Sequence, residues 1–101
     1  MEEDLVKCLE NLKNVIEPET GISIVDLGLV RVSKENGEPV IYYIPISAYT
    51  SPILVIAVGL QILKECKAKV KVENYYLEEE INKRLEVLVN ELSRLPSQTT
   101  T

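Results

Sequence analysis

The architecture turns on Ser51-Pro52-Ile53-Leu54-Val55-Ile56-Ala57-Val58-Gly59-Leu60-Gln61-Ile62-Leu63. Its apolar pattern suits a buried strand as well as a buried helix, because Ile53, Val55, Ile56 and Val58 are β-branched. Two features favour the helix. Ser51 is a good N-cap, and Pro52 fits the first helical position, where no N–H is needed. The segment also continues unbroken to Cys66, longer than a buried strand usually runs. A helix here sits between two strand-like segments. Upstream, Val40 to Ile46 carries Ile41, Tyr42, Tyr43 and Ile44, and Pro45, which cannot donate to a ladder, marks the strand's end or an unpaired side. Downstream, Lys69 to Glu73 alternates lysine and valine. Strand, helix and strand then form a crossover unit of right-handed sense.

Working outward, Gly28 to Ser33 alternates as a strand, with Leu29, Arg31 and Ser33 opposite Val30 and Val32. Asn36-Gly37 is a tight-turn signal joining it to the next strand. Leu5, Cys8, Leu9, Leu12, Val15 and Ile16 recur at helical spacing, which predicts a first helix from about Glu2 to Val15. Its acidic start suits the positive end of the helix dipole, and Pro18 ends it by disfavouring helical geometry at Glu17. A last helix is predicted from about Leu77 to Leu92. The fold class is therefore α/β (α+β), a two-layer sandwich ordered helix-strand-strand-helix-strand plus a C-terminal helix, with helices on one face of a small mixed three-stranded sheet. We expect one domain over residues 1–95, including the added helix over about 77–95, and a polar flexible tail over 96–101.

Composition narrows the function classes. A chain of 101 residues that is 46% hydrophobic and 27% charged has one core and is not disordered throughout. Eleven basic against sixteen acidic residues give a net charge of −5, which repels a phosphate backbone, so no nucleic-acid partner is expected. The absence of histidine removes His-based acid–base catalysis, and two cysteines are too few for most transition-metal sites. Glu2, Glu3 and Asp4 are the opposite of a basic leader, and the apolar run Ile53 to Leu60 is too short to span a bilayer. A cytoplasmic protein without membrane association is the expectation. Cys8 and Cys66 read as small buried hydrophobes, with a long-loop disulfide as the alternative.

Several segments resemble one family. Val15-Ile16-Glu17-Pro18-Glu19, then Ile24-Val25-Asp26-Leu27-Gly28-Leu29-Val30, then Ile44-Pro45-Ile46-Ser47 and Ser51-Pro52 are similar to the SufT/PaaD-like accessory domain of iron–sulfur cluster assembly, the family of the eukaryotic cytosolic iron–sulfur targeting subunit. The likeness runs from about Leu5 to Val72. Glu17 stands for the motif's first aspartate, Ser47 for its threonine and Ser51 for its cysteine. The resemblance implies an accessory or adaptor protein acting by protein–protein contact in cluster assembly or target-protein maturation, with assembly proteins or client apoproteins as partners. It implies contact residues at Glu17, Pro18, Glu19, Asp26, Gly28, Ser47, Thr50, Ser51 and Pro52. A cysteine at a helix N-terminus gains thiolate character and a serine does not, so no cofactor and no iron–sulfur cluster is expected in the isolated protein. The alternative is a small oligomeric interaction module that has lost cluster-related chemistry. No catalytic residue stands out, and an enzyme is not expected.

Read without the resemblance, Ser51 is an N-cap and Asp26 a turn residue that satisfies local N–H groups. Glu17, Glu19 and Asp26 are weak candidates for a hard divalent ion, and their spacing is unlike a calcium loop. The second helix lacks a polar face before Lys64, and Leu77, Ile81, Leu85, Leu88, Leu92 and Leu95 are spaced 4, 4, 3, 4 and 3, close to a heptad seam. This predicts a homodimer using Ile53, Ile56, Leu60, Ile81, Leu85, Leu88 and Leu92, with docking of the last helix in cis or in trans left open. Lys67, Lys69 and Lys71, the basic cluster, read as a solvated edge that discourages aberrant sheet pairing.

Overall fold

The deciding stretch is helical. A computed structural model describes residues 2–94, and the side chains of 4–91. Its elements are α1 (Glu2–Leu12), β1 (Val30–Glu35), β2 (Glu38–Tyr43), α2 (Pro52–Glu65), β3 (Lys69–Val72) and α3 (Glu78–Arg94). The strands lie in the order β1-β2-β3, with β1 antiparallel and β3 parallel to β2. It is an α/β domain with a mixed three-stranded sheet. The expected tail over 96–101 and Leu95 lie outside the described residues, as does the side chain of Leu92.

Local chemistry explains the boundaries. Asn36 and Gly37 adopt φ of 56° and 80°, the doubly left-handed turn that matches the twist of a two-residue hairpin, and Glu35 pairs with Glu38 across it. Gly28, at φ 70°, belongs to a turn in which its N–H bonds the Val25 carbonyl, so β1 starts only at Val30. β2 ends at Tyr43, before Pro45. α1 is shorter than its apolar spacing suggests, because residues 13–15 tighten into three-residue bonds such as Val15 N–H to Leu12 O at 3.0 Å. α2 begins at Pro52 as expected, but the Ser51 hydroxyl does not cap it. Only the Ser51 carbonyl takes part, accepting from Val55 N–H at 3.1 Å.

The two-residue period of the strands sorts their side chains. Val30, Val32, Ile41, Tyr43, Val70 and Val72 share the face that packs into the core with Leu12, Val55, Ile62 and Leu85. The opposite face is polar and cross-linked. Arg31 pairs with Glu73 at 3.1 Å and lies over the Tyr42 ring at 4.2 Å. The Tyr42 hydroxyl donates to Glu35, which also accepts from Lys71 at 3.0 Å. Those two donors hold the Glu35 carboxyl below its ordinary range.

One open choice is resolved here and one expectation is corrected. The last helix docks in cis: Ile81 and Leu85 are 4% and 1% exposed, and the Leu85 methyls lie 3.1 Å from where a Gly59 Cβ would stand. Both therefore belong to the chain's own core and not to a subunit surface. α2 is apolar nearly all round because the sheet, α1 and α3 each take part of it. The cysteines, for their part, are not free hydrophobes. Cys8 of α1 and Cys66, just past α2, are joined in a disulfide across a separation of 58 residues.

Candidate functional site

β2 and β3 run parallel, so their C-terminal ends deliver two loops to the same rim, residues 44–51 and 73–77. The carboxyl ends of parallel strands are where α/β folds habitually place sites. The first loop is pinned by its own hydroxyls. Thr50 Oγ1 donates to the Ser47 carbonyl at 2.9 Å and accepts from Ser47 N–H at 3.1 Å, while Ser47 Oγ accepts from Tyr49 N–H at 3.1 Å. The second loop is tied to the first. The Tyr75 hydroxyl donates to the Thr50 carbonyl, and Tyr76 N–H bonds the Ala48 carbonyl at 3.1 Å. Burial pushes the Tyr75 hydroxyl pKa up. Asn74, left-handed at φ 57° with its N–H on the Glu78 carboxylate, turns the chain into position.

This framework presents an aromatic pair. The rings of Tyr49 and Tyr76 are 5.2 Å apart, and Tyr75 meets Tyr76 edge-on at 5.1 Å. Tyr75 is buried, whereas Tyr49 and Tyr76 are 77% and 53% exposed. Ile46 within the loop and Ile53 just after it are exposed as well. Among the expected contact residues, Ser47, Ser51 and Pro52 lie on or beside this loop, and Thr50 is its buried anchor.

The other expected residues fare differently. Glu17 is fully buried rather than surface-exposed. Its turn is closed by Glu17 N–H to Ile22 O and Gly21 N–H to Glu17 O, both 2.8 Å, and its Oε1 accepts from Thr20 N–H at 2.6 Å. Its Oε2 has no hydrogen-bond partner. Burial pushes the nearby Tyr43 hydroxyl up to about 12, with the negative charges of Glu17 and Glu19 adding to the effect. Pro18, Glu19, Asp26 and Gly28 are exposed around this turn. The Val25-to-Leu29 run folds as a backbone turn, with Ser23 Oγ accepting from Val25 N–H at 3.2 Å. Glu17, Glu19 and Asp26 do not form a metal site: among the described residues no three such ligands could hold an ion. Of the expected interface residues, Ile53 is exposed, Ile56, Leu60 and Leu88 are half-buried, and Ile81 and Leu85 are internal.

Two features escaped the sequence. One is the pairing of Tyr49 with Tyr76, for which the adjacent Tyr75-Tyr76 after a strand was the available signal. The other is a groove of about 1040 Å³ between β3 and α3, lined by Lys67, Lys69, Val70, Leu85 and Val89 among others.

No family model matches the chain, and neither a curated protein nor a solved structure matches it. The resemblance to the SufT/PaaD-like domain is therefore corrected, and its link to iron–sulfur assembly goes with it. Nothing supports a cysteine replaced at Ser51; the chain's own cysteines are spent on a disulfide. The ground on which a cofactor was excluded is thereby removed. Among the described residues, no helix is long and apolar enough to cross a membrane.

Proposed function

We propose that the chain is a small protein-interaction module that works by contact, presenting Tyr49 and Tyr76 to a protein partner. The observation that carries this reading is the exposed tyrosine pair on a loop pinned by Thr50 and Tyr75. Aromatic side chains bury much area for few rotatable bonds, and a loop already held in place loses little entropy on binding. Such residues supply most hot spots. A non-enzymatic role fits the lack of histidine and the absence of free thiols. The net charge of −5 disfavours nucleic acid. A cytoplasmic location is compatible with the Cys8–Cys66 bridge where intracellular disulfides persist, as in hyperthermophiles.

Affinity capture from the native cell extract tests the reading, comparing the chain with its Tyr49→Ala/Tyr76→Ala variant. The double variant should keep its circular dichroism spectrum and lose the captured partner, with affinity falling about thirtyfold or more for a pair of hot-spot tyrosines. Equal capture by both proteins would refute it. A homodimer is the second reading, favoured by Ile53 standing 78% exposed at the start of α2. Sedimentation at 11.4 kDa would exclude that reading.

A further inference from the structure

We propose that the free edge of β3 accepts, as an added strand, an extended peptide that alternates acidic and apolar side chains. This surface is separate from the tyrosine pair, with which the groove shares no lining residue.

The argument starts from the ladder. β3 is the last strand of the sheet, paired on one side only. Successive residues of a strand turn their N–H and C=O to opposite sides. Glu73 N–H reaches the Tyr43 carbonyl of β2 at 3.0 Å, so Glu73 and, by alternation, Lys71 and Lys69 face inward to the sheet. Val72 faces outward, where the Asn82 side chain takes both its groups: Val72 N–H to Oδ1 at 2.7 Å and Nδ2 to the Val72 carbonyl at 3.1 Å. Asn82 thus does for Val72 what a neighbouring strand's peptide group would do. The same alternation turns the Val70 N–H and C=O outward into the groove, one step beyond the reach of that amide. Asn82 stoppers the edge at Val72, while at Val70, itself only 8% exposed, no side chain among the described residues takes the outward groups.

The occupant's chemistry follows from the two faces. A strand laid beside Val70 would direct alternate side chains to opposite sides of the sheet. On the helix side they meet Val70, Leu85 and Leu63, an apolar floor edged by Glu79 and Glu86 of α3. On the other side they meet Lys69 and Lys71, with Lys67 just beyond. Lys67 and Lys69 have no ion pair among the described residues, although the chain as a whole is acidic. Opposite charges across adjacent strands attract and like charges repel. A second copy paired through β3 would bring Lys69 and Lys71 toward their own equivalents. That argues against self-pairing and for an acidic visitor.

The probe is a short acetylated peptide alternating Glu and Val, titrated into the full-length protein at low salt while amide exchange is followed. Binding should slow exchange at the Val70 N–H and weaken as salt is raised. Reversing Lys67→Glu/Lys69→Glu, two exposed positions that leave the core untouched, should weaken it about tenfold. N-methylation of the peptide on the residues that face β3 should abolish it. The proposal is overturned if the peptide does not bind, if a Lys/Val peptide binds equally well, or if the methylated peptide retains its affinity. It is also overturned if sedimentation finds a dimer whose Val70 amide is already protected, because a second copy would then hold the edge.

Discussion

Tyr43 and Glu17 show what burial does to a polar side chain in a small core. Tyr43 is 1% exposed, and its hydroxyl pKa is pushed up to about 12, first by desolvation and then by the negative charges of Glu17 and Glu19. In the unfolded chain the same hydroxyl titrates near its ordinary value of about 10. Above that value the unfolded state releases a proton that the folded state keeps, so the folded state is penalised as pH rises. Stability is therefore predicted to fall between about pH 10 and pH 12, and Tyr43→Phe, which cannot ionise, should flatten that fall. Urea midpoints measured across this range check it. Equal slopes for the two proteins would show that Tyr43 ionises equally in both states. Glu17 illustrates a limit of reading residues one at a time. It sits before Pro18 in a polar turn, where a carboxyl normally faces water. Its burial follows from its Oε1 closing the Thr20 N–H inside its own turn, an arrangement that composition does not report.

At the scale of elements, the packing of α2 against α3 includes one close approach. Gly59 has no Cβ, and the Leu85 methyls occupy the space, 3.1 and 3.2 Å from where that atom would stand. Gly59→Val should destabilise by about 1–3 kcal/mol through overpacking, and Leu85→Ala by about 2–5 kcal/mol through a cavity. The two sites touch, so the costs should not add: in the Leu85→Ala background Gly59→Val fills vacated space and its penalty shrinks. A double-mutant cycle by chemical denaturation measures this, and strict additivity would contradict the contact. The same contact marks how far elements were legible in the sequence. The strand–helix–strand crossover and the Asn36-Gly37 hairpin were readable because each depends on neighbours in the chain: a proline at a helix start, a pair able to take positive φ. The destination of α3 was not readable, because the spacing of Ile81, Leu85 and Leu88 suits a seam on its own α2 as well as one on another chain. Ser51 was read as a side-chain cap from its residue type and the proline after it, and its hydroxyl makes no capping hydrogen bond. Asn82 and the Tyr49–Tyr76 pair depend on contacts between separate segments; the adjacent Tyr75-Tyr76 hints at an aromatic site, but no local pattern names the residue that either one meets.

For the molecule as a whole, the disulfide decides how the stability is shared out. A chain of 101 residues buries a modest share of its surface, so a covalent closure weighs heavily in the balance. The Cys8–Cys66 bridge spans 58 residues, a loop that contains both strands of the hairpin and all of α2, while β3 and α3 lie outside it. Restricting an unfolded loop of that length is worth about 4 kcal/mol on the loop-entropy account. Because that account acts through the unfolded state, losing the bridge should lower stability everywhere at once and leave the native contacts as they are. Cys8→Ala/Cys66→Ala is predicted to melt about 20 °C lower, given the unfolding entropy typical of a chain this size. Protection should fall uniformly in hydrogen exchange, as much in β3 and α3 as in α1. If instead only the α1 amides lose protection and the melting temperature hardly moves, the bridge is a local clasp on the first helix and the global account fails.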